Sequence, residues 1–428
     1  MKNNHLKKIL TKMFDEAVSI SHPANLMSKY IPDSQPSGKT VVIGAGKASA
    51  EMARAFEIAW KKKGYSDLNG IVITRYGHKR KCQNIKIIEA SHPTPDKAGL
   101  NATSDIINLI KPLKQEDLLV VLISGGGSSL LVSPLKNISL DEKQDLTNEL
   151  LRCGATISEI NSVRKHLSNV KGGQLTSFAY PAKIITLAIS DVPGDDFGVI
   201  ASGPTYPDST SNKDALDVLY KYNINCSENI YKILKSDNNE TPKNNNKIFN
   251  NSKFNLIARP QNALLEAAKV AKDKNFNPLI LSDSIEGESN DAGLVHSAIV
   301  KQVIKFGQPA KAPLCILSGG ETTVTIKNNN GKGGRNTQFL LSLAIALGSV
   351  KNVYAIACDT DGIDGSETNA GAIIYPDTLE RAYSKGMNPK EYLENNDAYT
   401  FFYKLGDIVK TGPTHTNVND FRAILITE

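Results

Sequence analysis

The chain has 428 residues, of which 40% are hydrophobic and 22% charged, and its formal net charge is +6. This length exceeds what one compact core usually holds, so two domains are expected. No apolar run approaches the ~18 residues of a membrane span, and the amino terminus lacks a signal-peptide pattern. Only 6% of residues are aromatic, without a basic–aromatic stripe, so nucleic acid is not an expected partner. The five scattered cysteines lack zinc-like spacing and predict a cytoplasmic protein with reduced thiols.

Strand-like and helix-like segments alternate along the chain. In the first half, strands are predicted at 40–43, 70–74, 85–89, 118–123 and 184–190, and helices at 2–20, 47–62, 97–110, 140–152 and 214–221. In the second half, strands are predicted at 277–283 and 313–320, and helices at 263–273, 292–304 and 337–347. This alternation is typical of an α/β fold with parallel sheets. Between the halves, 236–255 is polar and asparagine-rich, which indicates either a surface insertion or a linker. We place the domains at 1–240 and 250–428.

Two glycine-rich turns follow predicted strands in the first half. The first contains Lys47 and opens a helix, so backbone N–H groups, a helix N-terminus and a lysine charge could converge on an anion. The second carries three consecutive glycines, which can form an anion nest at a strand's carboxyl end. The first turn matches neither the Walker A nor the dinucleotide motif, because Val41, Ala48 and Ser49 occupy key positions. The predicted phosphate contacts here are Gly44, Gly46, Ser124, Gly125, Gly126, Gly127 and Ser128.

A third glycine-rich segment precedes a predicted helix in the second half. Before it, the period-two pattern at 323–327 predicts that the strand at 313–320 turns into another strand. Arg335 then stands beside a helix N-terminus, where a cation is unfavourable for the helix dipole. A guanidinium there can bind phosphate or carboxylate oxygens in a forked geometry, which favours a functional role. Gly333 and Gly334 are further predicted phosphate contacts.

Acidic loops follow other predicted strands. Asp191, after the strand at 184–190, is a candidate general base or metal-bridging carboxylate. The acidic segment 355–366 resembles a calcium loop, but Ile363 and Ala370 stand where oxygen ligands are required, so an EF-hand is excluded.

A polar segment at 411–420 combines hydroxyls, amides and an acid, and could line the pocket of a polyhydroxylated ligand. Basic and imidazole side chains in the first half are candidates for another pocket wall. The candidates in these two regions are Thr414, Asn417, Asn419, His92, Arg164, Lys165, His166 and Lys171.

Together these motifs resemble the glycerate 2-kinases of the MOFRL type, a family once named hydroxypyruvate reductases. The resemblance spans nearly the whole chain, and the MOFRL signature covers about 310–425. The motifs that carry it are IGAGKAS, SHPTPD, SGGGSSLL, NSVRKHLSNVKGGQL, ISDVPGDD, ASGPT, LSGGETTVTI, GKGGRN, DTDGIDG, NNDAY and TGPTHTNVND.

The resemblance implies a larger Rossmann-like domain with a mainly parallel sheet, a smaller α/β MOFRL domain, and an active site in the cleft between them. It implies ATP and Mg²⁺ as cofactors, D-glycerate as substrate and 2-phosphoglycerate as product, in a monomer or homodimer. Lys47 and Arg335 would balance phosphoryl charge or hold the substrate carboxylate, and the SGGG loop would hold the ATP phosphates. Asp191 would orient the 2-hydroxyl or, with Asp361, bind the metal. The implied substrate contacts are Arg164, His92, Thr414, Asn417 and Asn419.

Two positions depart from the family pattern: Thr337-Gln338 stands where Gln-Glu is common, and His415 where Gly is common. Two other functions remain open. One is an NAD(P)-dependent hydroxypyruvate reductase, which is disfavoured by Ser49 and by Arg75 at the end of the second predicted strand. The other is a non-catalytic protein that binds a small hydroxy acid.

Overall fold

The computed structural model describes residues 2–326 and 330–428, with only the backbone described for Lys2 and Asp237. These residues form two compact units. We call Pro23–Ile257 the parallel-sheet unit, and Met1–His22 together with Ala258–Glu428 the mixed-sheet unit. Each contains a six-stranded sheet, so the prediction of an α/β fold with two domains is confirmed.

After helix α1 (Lys2–Ser21), which belongs to the mixed-sheet unit, strands and helices alternate through the parallel-sheet unit. Its strands are β1 (Thr40–Ala45), β2 (Leu68–Arg75), β3 (Ile85–Ala90), β4 (Leu118–Ile123), β5 (Lys183–Ile189) and β6 (Ser252–Ala258). Its helices are α2 (Pro23–Leu26), α3 (Ser49–Lys62), α4 (Lys97–Ile110), α5 (Gly127–Leu130), α6 (Leu140–Arg152), α7 (Ile157–His166), α8 (Gln174–Ala179), α9 (Asn212–Lys221) and α10 (Glu228–Leu234).

The order of strands in the first sheet decides where a ligand can bind. The order is β3-β2-β1-β4-β5-β6, and β1 to β5 run parallel. Every residue of β1 and β4 is buried, as expected for central strands covered on both faces. The chain adds β2 and β3 on one side of β1 and then β4 and β5 on the other, so the strand order switches sides between β1 and β4. The carboxyl ends of strands at such a switch point are where open α/β sheets bind ligands. The turns after β1, β4 and β5 share this edge.

The mixed-sheet unit is built around a second sheet with the order β11-β10-β9-β12-β8-β7. Strands β7 and β8 pair in parallel, whereas β12 pairs antiparallel with both β8 and β9. The strands are β7 (Asn277–Glu288), β8 (Leu314–Thr323), β9 (Val353–Asp359), β10 (Gly371–Ile374), β11 (Ile408–Val409) and β12 (Asp420–Ile426). The helices are α11 (Pro260–Asp273), α12 (Ser289–Phe306), α13 (Arg335–Leu347), α14 (Thr378–Ser384), α15 (Pro389–Glu394) and α16 (Ala398–Leu405).

Three sequence-based expectations need correction. The prediction placed 1–22 in the first domain, but α1 packs on α11, and its Phe14 ring lies 5.8 Å from that of Phe421. The asparagine-rich segment 236–255 is not a linker, because its end forms β6 and Thr241 is buried within the parallel-sheet unit. The predicted second strand is wrong over 323–326, because β8 continues through both glycines to Thr323 and 324–326 form no strand. Lys327, the last residue of that prediction, lies outside the described residues.

No helix within the described part of the chain is both long enough and apolar enough to cross a membrane.

Candidate functional site

The backbone N–H groups of the turn after β1 form hydrogen bonds within the protein. The N–H of Gly46 donates to a β2 carbonyl at 3.1 Å, and the N–H of Lys47 donates to Gly125 O at 2.8 Å. Gly46 has a φ of +146°, and a Cβ there would lie 2.1 Å from Ser124 Oγ. Glycine is therefore required because two turns approach closely. In this geometry Gly44 pairs within the sheet and the N–H donors of Gly46 and Lys47 are used within the protein, so phosphate binding by Gly44 and Gly46 stays a prediction.

The glycine-rich turn after β4 serves two purposes. Buried Ser124 accepts a hydrogen bond from the N–H of Ala48 at 3.0 Å, so its side chain braces the neighbouring turn. Farther along, Gly126 adopts a φ of +79° and lies against His92, whose Cδ2 atom would be 2.7 Å from an added Cβ. Helix α5 begins at Gly127. The second part of this turn, but not Ser124, thus faces the predicted substrate residue His92.

A cavity of about 280 Å³ opens beside this turn. It brings together several residues that the sequence singled out, and we call it the basic cavity. Its polar lining includes His92, Ser128, Ser129, Lys143, Gln144, Arg164 and Lys171, with Gly126 between them.

Two cations of the basic cavity are held against backbone carbonyl groups. Lys171 donates from Nζ to Ser128 O at 2.6 Å and to Leu131 O at 3.2 Å. Lys143 donates from Nζ to Leu167 O at 2.9 Å. Across the described ranges, no carboxylate forms an ion pair with Lys143, Arg164 or Lys171.

Burial disfavours the charged forms of these two lysines and so lowers their pKa values. Burial lowers the pKa of Lys143 to about 7, with a smaller contribution from the charge of Arg164. Burial also lowers the pKa of Lys171 well below its usual value, and the neighbouring Lys143 and Arg164 lower it further. An anion in the basic cavity would relieve this repulsion and favour the charged forms. The arrangement therefore suits a small carboxylate or phosphate group.

Other predicted residues of the parallel-sheet unit lie elsewhere. Lys47 and Asp191 are half-buried beyond β1 and β5, on the ligand-binding edge of the sheet, but the lining of the basic cavity does not include them. Lys165 is paired with buried Asp208 at 3.1 Å, and the buried His166 ring lies 3.0 Å from Glu240 Oε1. Lys165 and His166 therefore hold the fold together rather than line this site.

Arg335, in the mixed-sheet unit, is surrounded by acids. Its guanidinium donates to Asp420 at 2.6 Å, to Glu321 at 2.9 Å and to Asp359 at 2.9 Å. We call these four residues the Arg335 cluster. Burial alone would lower the pKa of Arg335, but the three carboxylates raise it well above its usual value. These bonds use three of the five guanidinium N–H donors.

The N-terminus of α13 is closed by a buried carboxylate. Asp364 accepts hydrogen bonds from the N–H groups of Asn336 and Thr337, each at 2.9 Å, and from Thr337 Oγ1 at 2.8 Å. Burial raises the pKa of Asp364, which those hydrogen bonds oppose. The N–H groups of Gly333 and Gly334 also donate to protein hydroxyls, at 3.3 and 3.1 Å. The protein thus supplies an anion and acceptors at this helix end, and phosphate binding by Gly333 and Gly334 stays a prediction.

The polar segment 411–420 mainly organises its own loops. Asp361 O accepts from the N–H of Thr414 at 3.0 Å, and Asp361 Oδ1 accepts from the N–H of Ile363 at 2.9 Å. Buried Asn419 turns back with a φ of +62°, and its N–H lies 3.4 Å from Asn417 Oδ1. His415 has a φ of +60°, a conformation that glycine adopts most easily, which accounts for glycine being common at this position.

Neither described range holds a group of three or more His, Cys, Asp or Glu side chains arranged for a metal ion. Mg²⁺ in kinase sites commonly takes one or two carboxylates together with substrate phosphates, so Asp191 and Asp361 stay predictions as single ligands.

Sequence reasoning missed Lys143. A signal was present, because Lys143 lies at i−3 and i−7 from buried Leu146 and Leu150 on α6. A lysine on the apolar face of an amphipathic helix is unusual enough to mark a buried charge.

Comparisons with known proteins decide the family. The model for a domain of unknown function, DUF4147, matches residues 9–235, and the MOFRL family model matches 314–420. A D-glycerate 2-kinase of Thermotoga maritima is 40% identical over 97% of both chains. The chain belongs to the MOFRL glycerate kinase family.

Further relatives agree on the family, although not all carry the same name. The crystal structure of the Thermotoga maritima glycerate kinase matches with a TM-score of 0.88 at 39% identity, covering 99% of this chain and 100% of that one. A protein of Agrobacterium vitis named putative hydroxypyruvate reductase is 48% identical over 98% of this chain and 94% of its own length. The older reductase name thus persists among members of the glycerate kinase family.

Proposed function

We propose that this protein is a glycerate 2-kinase, which transfers a phosphoryl group from ATP to the 2-hydroxyl group of D-glycerate. The observation that carries the proposal is the basic cavity, where buried Lys143, buried Lys171 and half-buried Arg164 have no ion-paired carboxylate among the described residues. A small carboxylate with polar substituents fits both the charge and the volume. Arg164 would bind that carboxylate through a fork of N–H donors, and the two lysines would add positive charge that attracts it.

Residues near the cavity suit the polar end of such a substrate. His92 lies against Gly126 at the cavity wall, where a ring nitrogen can bond a substrate hydroxyl. Asp191 follows β5 on the same edge of the sheet, where a carboxylate can orient or deprotonate a hydroxyl. Lys47 stands beyond β1 on that edge and would balance the charge of the transferring group. ATP would supply the phosphoryl group, and Mg²⁺ would neutralise charge on its phosphate oxygens.

The alternative reductase has less support. A dinucleotide needs open N–H donors in the turn after β1, where it binds the pyrophosphate. Here the N–H groups of Gly46 and Lys47 are used within the protein. No second observation favours a reductase over a kinase.

Incubation of the pure protein with D-glycerate and ATP·Mg²⁺, followed by ³¹P NMR, tests the proposal because it separates 2-phosphoglycerate from 3-phosphoglycerate. We expect the 2-phospho product, and none when either the divalent ion or glycerate is omitted. Exclusive formation of 3-phosphoglycerate would reject the assignment to the 2-hydroxyl. Oxidation of NAD(P)H by hydroxypyruvate, without phosphorylation, would establish the reductase instead.

A further inference from the structure

The ASGPT motif contains an unusual stretch of backbone. Ala201, Ser202 and Gly203 have consecutive φ angles of +51°, +61° and +57°. Residues with a Cβ rarely adopt this conformation and keep it only where their surroundings enforce it. Such positions concentrate near functional sites, and Ser202 is the central residue of this stretch.

Ser202 joins two walls of the basic cavity. Its fully buried hydroxyl lies 2.8 Å from Ser128 Oγ and donates to Asn161 Oδ1 at 3.1 Å. Its carbonyl oxygen accepts from the N–H of Gly172 at 2.9 Å. The residue before Gly172 is Lys171, whose Nζ donates to Ser128 O at 2.6 Å. These contacts form a closed ring that fixes Ser128 and Lys171 relative to each other.

The directions of these bonds determine what Ser128 offers to a ligand. A serine hydroxyl has one proton to donate. Because the proton of Ser202 goes to Asn161, the bond between the two serines must use the proton of Ser128. Ser128 Oγ then has only lone pairs left for the cavity that it lines. It can accept a hydrogen bond from a hydroxyl, but it cannot donate one to a phosphate or carboxylate oxygen.

We infer that Ser202 is a positioning residue that makes Ser128 an acceptor for a hydroxyl group of the substrate. This inference rests on the proposed hydroxy-acid substrate and reverses the prediction that Ser128 contacts a phosphate. In this arrangement the cations recognise the carboxylate, and Ser128 distinguishes a hydroxylated acid from one without hydroxyls. A site built to bond a hydroxyl rejects an analogue that lacks it, because the acceptor, here half-buried Ser128 Oγ, then loses its hydrogen bond to the ligand.

The test compares binding of D-glycerate with binding of propionate, a three-carbon acid without hydroxyls, by isothermal titration calorimetry. The variants are Ser202→Ala, Ser202→Gly, Ser128→Ala and the double variant Ser128→Ala/Ser202→Ala. Ser202→Gly suits the positive φ and keeps the test available if Ser202→Ala does not fold. Thr186→Val is the matched control, because it removes a buried hydroxyl pair of the same length, 2.8 Å to Thr205 Oγ1, outside the cavity lining.

We expect the preference of the wild type for glycerate over propionate to fall about tenfold in each Ser202 variant and in Ser128→Ala. The double variant should lose no more than Ser128→Ala alone, because Ser202 acts through Ser128. The control should keep the preference within about twofold. Equal weakening of both acids in the Ser202 variants, or additive losses in the double variant, would overturn the inference and leave the proposed function standing. Failure of the wild type to bind D-glycerate at all would overturn both.

Discussion

The basic cavity and the Arg335 cluster both gather buried charge, but they differ in whether the protein neutralises it. In the basic cavity, the ammonium groups of Lys143 and Lys171 contact only backbone carbonyl groups among the bonds described. In the Arg335 cluster, three carboxylates surround one guanidinium. Motifs in both regions look alike in sequence, because each combines glycines with a basic residue. Only the contacts distinguish a site prepared for an external anion from one that already contains its own anions.

The difference also separates stability from binding. Removing one partner of a buried ion pair is strongly destabilising, because it leaves the other charge uncompensated. Removing one of several unpaired buried cations relieves repulsion instead, so the fold should tolerate it better. Substitutions in the Arg335 cluster should therefore act mainly on folding, and substitutions in the basic cavity mainly on ligand binding.

The largest effect is expected for Arg335→Ala. It would leave nearly fully buried Asp359 without its guanidinium partner, and buried Asp420 with Arg422 as its remaining guanidinium partner. We expect the free energy of unfolding to fall by about 3 kcal/mol, measured by urea denaturation. Lys269→Ala, which breaks an exposed pair with Glu266, is the control and should change it by less than about 1 kcal/mol. Unchanged stability of Arg335→Ala would show that the cluster is not a structural unit.

Lys47→Ala should separate catalysis from folding. Lys47 is half-buried at the ligand-binding edge of the first sheet. If its charge stabilises the transferring phosphoryl group, kcat/KM should fall about 100-fold, or about 2.7 kcal/mol, with little change in stability. Exposed Lys61, on helix α3 that follows this turn, supplies the control Lys61→Ala. Near-native kcat/KM in Lys47→Ala would remove Lys47 from the catalytic residues.

The sequence predicted most of the fold because its elements are strongly patterned. The buried strands β1 and β4, and helices such as α4, were placed to within about two residues. Strand β6 was missed because it follows a polar, asparagine-rich stretch whose composition indicates a loop. The position of α1 in the mixed-sheet unit could not be predicted either, because an amphipathic helix does not specify which sheet its apolar face will cover.

The candidate site was predictable in part. His92 and Arg164 were proposed from their motifs, and the structure brings both to one cavity. The glycine-rich turns could not be interpreted from sequence alone, because close packing and phosphate binding both require residues without a side chain. The ion pair between Arg335 and Asp420 could not be predicted. Asp420 is distant in sequence, and antiparallel pairing in the second sheet brings it to this site.

Arg164→Gln should weaken substrate binding without abolishing turnover. Glutamine keeps hydrogen-bonding capacity but loses the positive charge and the forked donors. We expect KM for D-glycerate to rise about tenfold while kcat falls less, since the carboxylate is bound similarly in the ground state and transition state. Exposed Arg152, on α6, provides Arg152→Gln as a control for charge alone. A loss of kcat at unchanged KM would instead indicate that Arg164 acts on the transferring group.

The smallest but most specific effect is a pH dependence of glycerate binding. Burial lowers the pKa of Lys143 to about 7 in the empty cavity. A bound carboxylate favours the charged form, so binding above pH 7 must be accompanied by proton uptake. We expect the dissociation constant of D-glycerate to rise with pH above 7, by at most about tenfold per pH unit.

Substitution of Lys143 distinguishes this effect from other titrations in the cavity. Lys143→Met should flatten the rise in the dissociation constant, whereas His92→Gln should preserve it above pH 7, where an ordinary histidine is already mostly neutral.

The stability of the fold should depend on pH in the opposite direction, increasing rather than weakening as the pH rises. Between about pH 7 and 10 the unfolded chain binds the lysine proton and the folded chain does not, so this group's contribution to the free energy of unfolding rises with pH. The wild type should therefore gain stability relative to Lys143→Met from pH 7 to 9 in paired urea denaturations. A difference in stability that is independent of pH would show that Lys143 stays charged in the empty cavity.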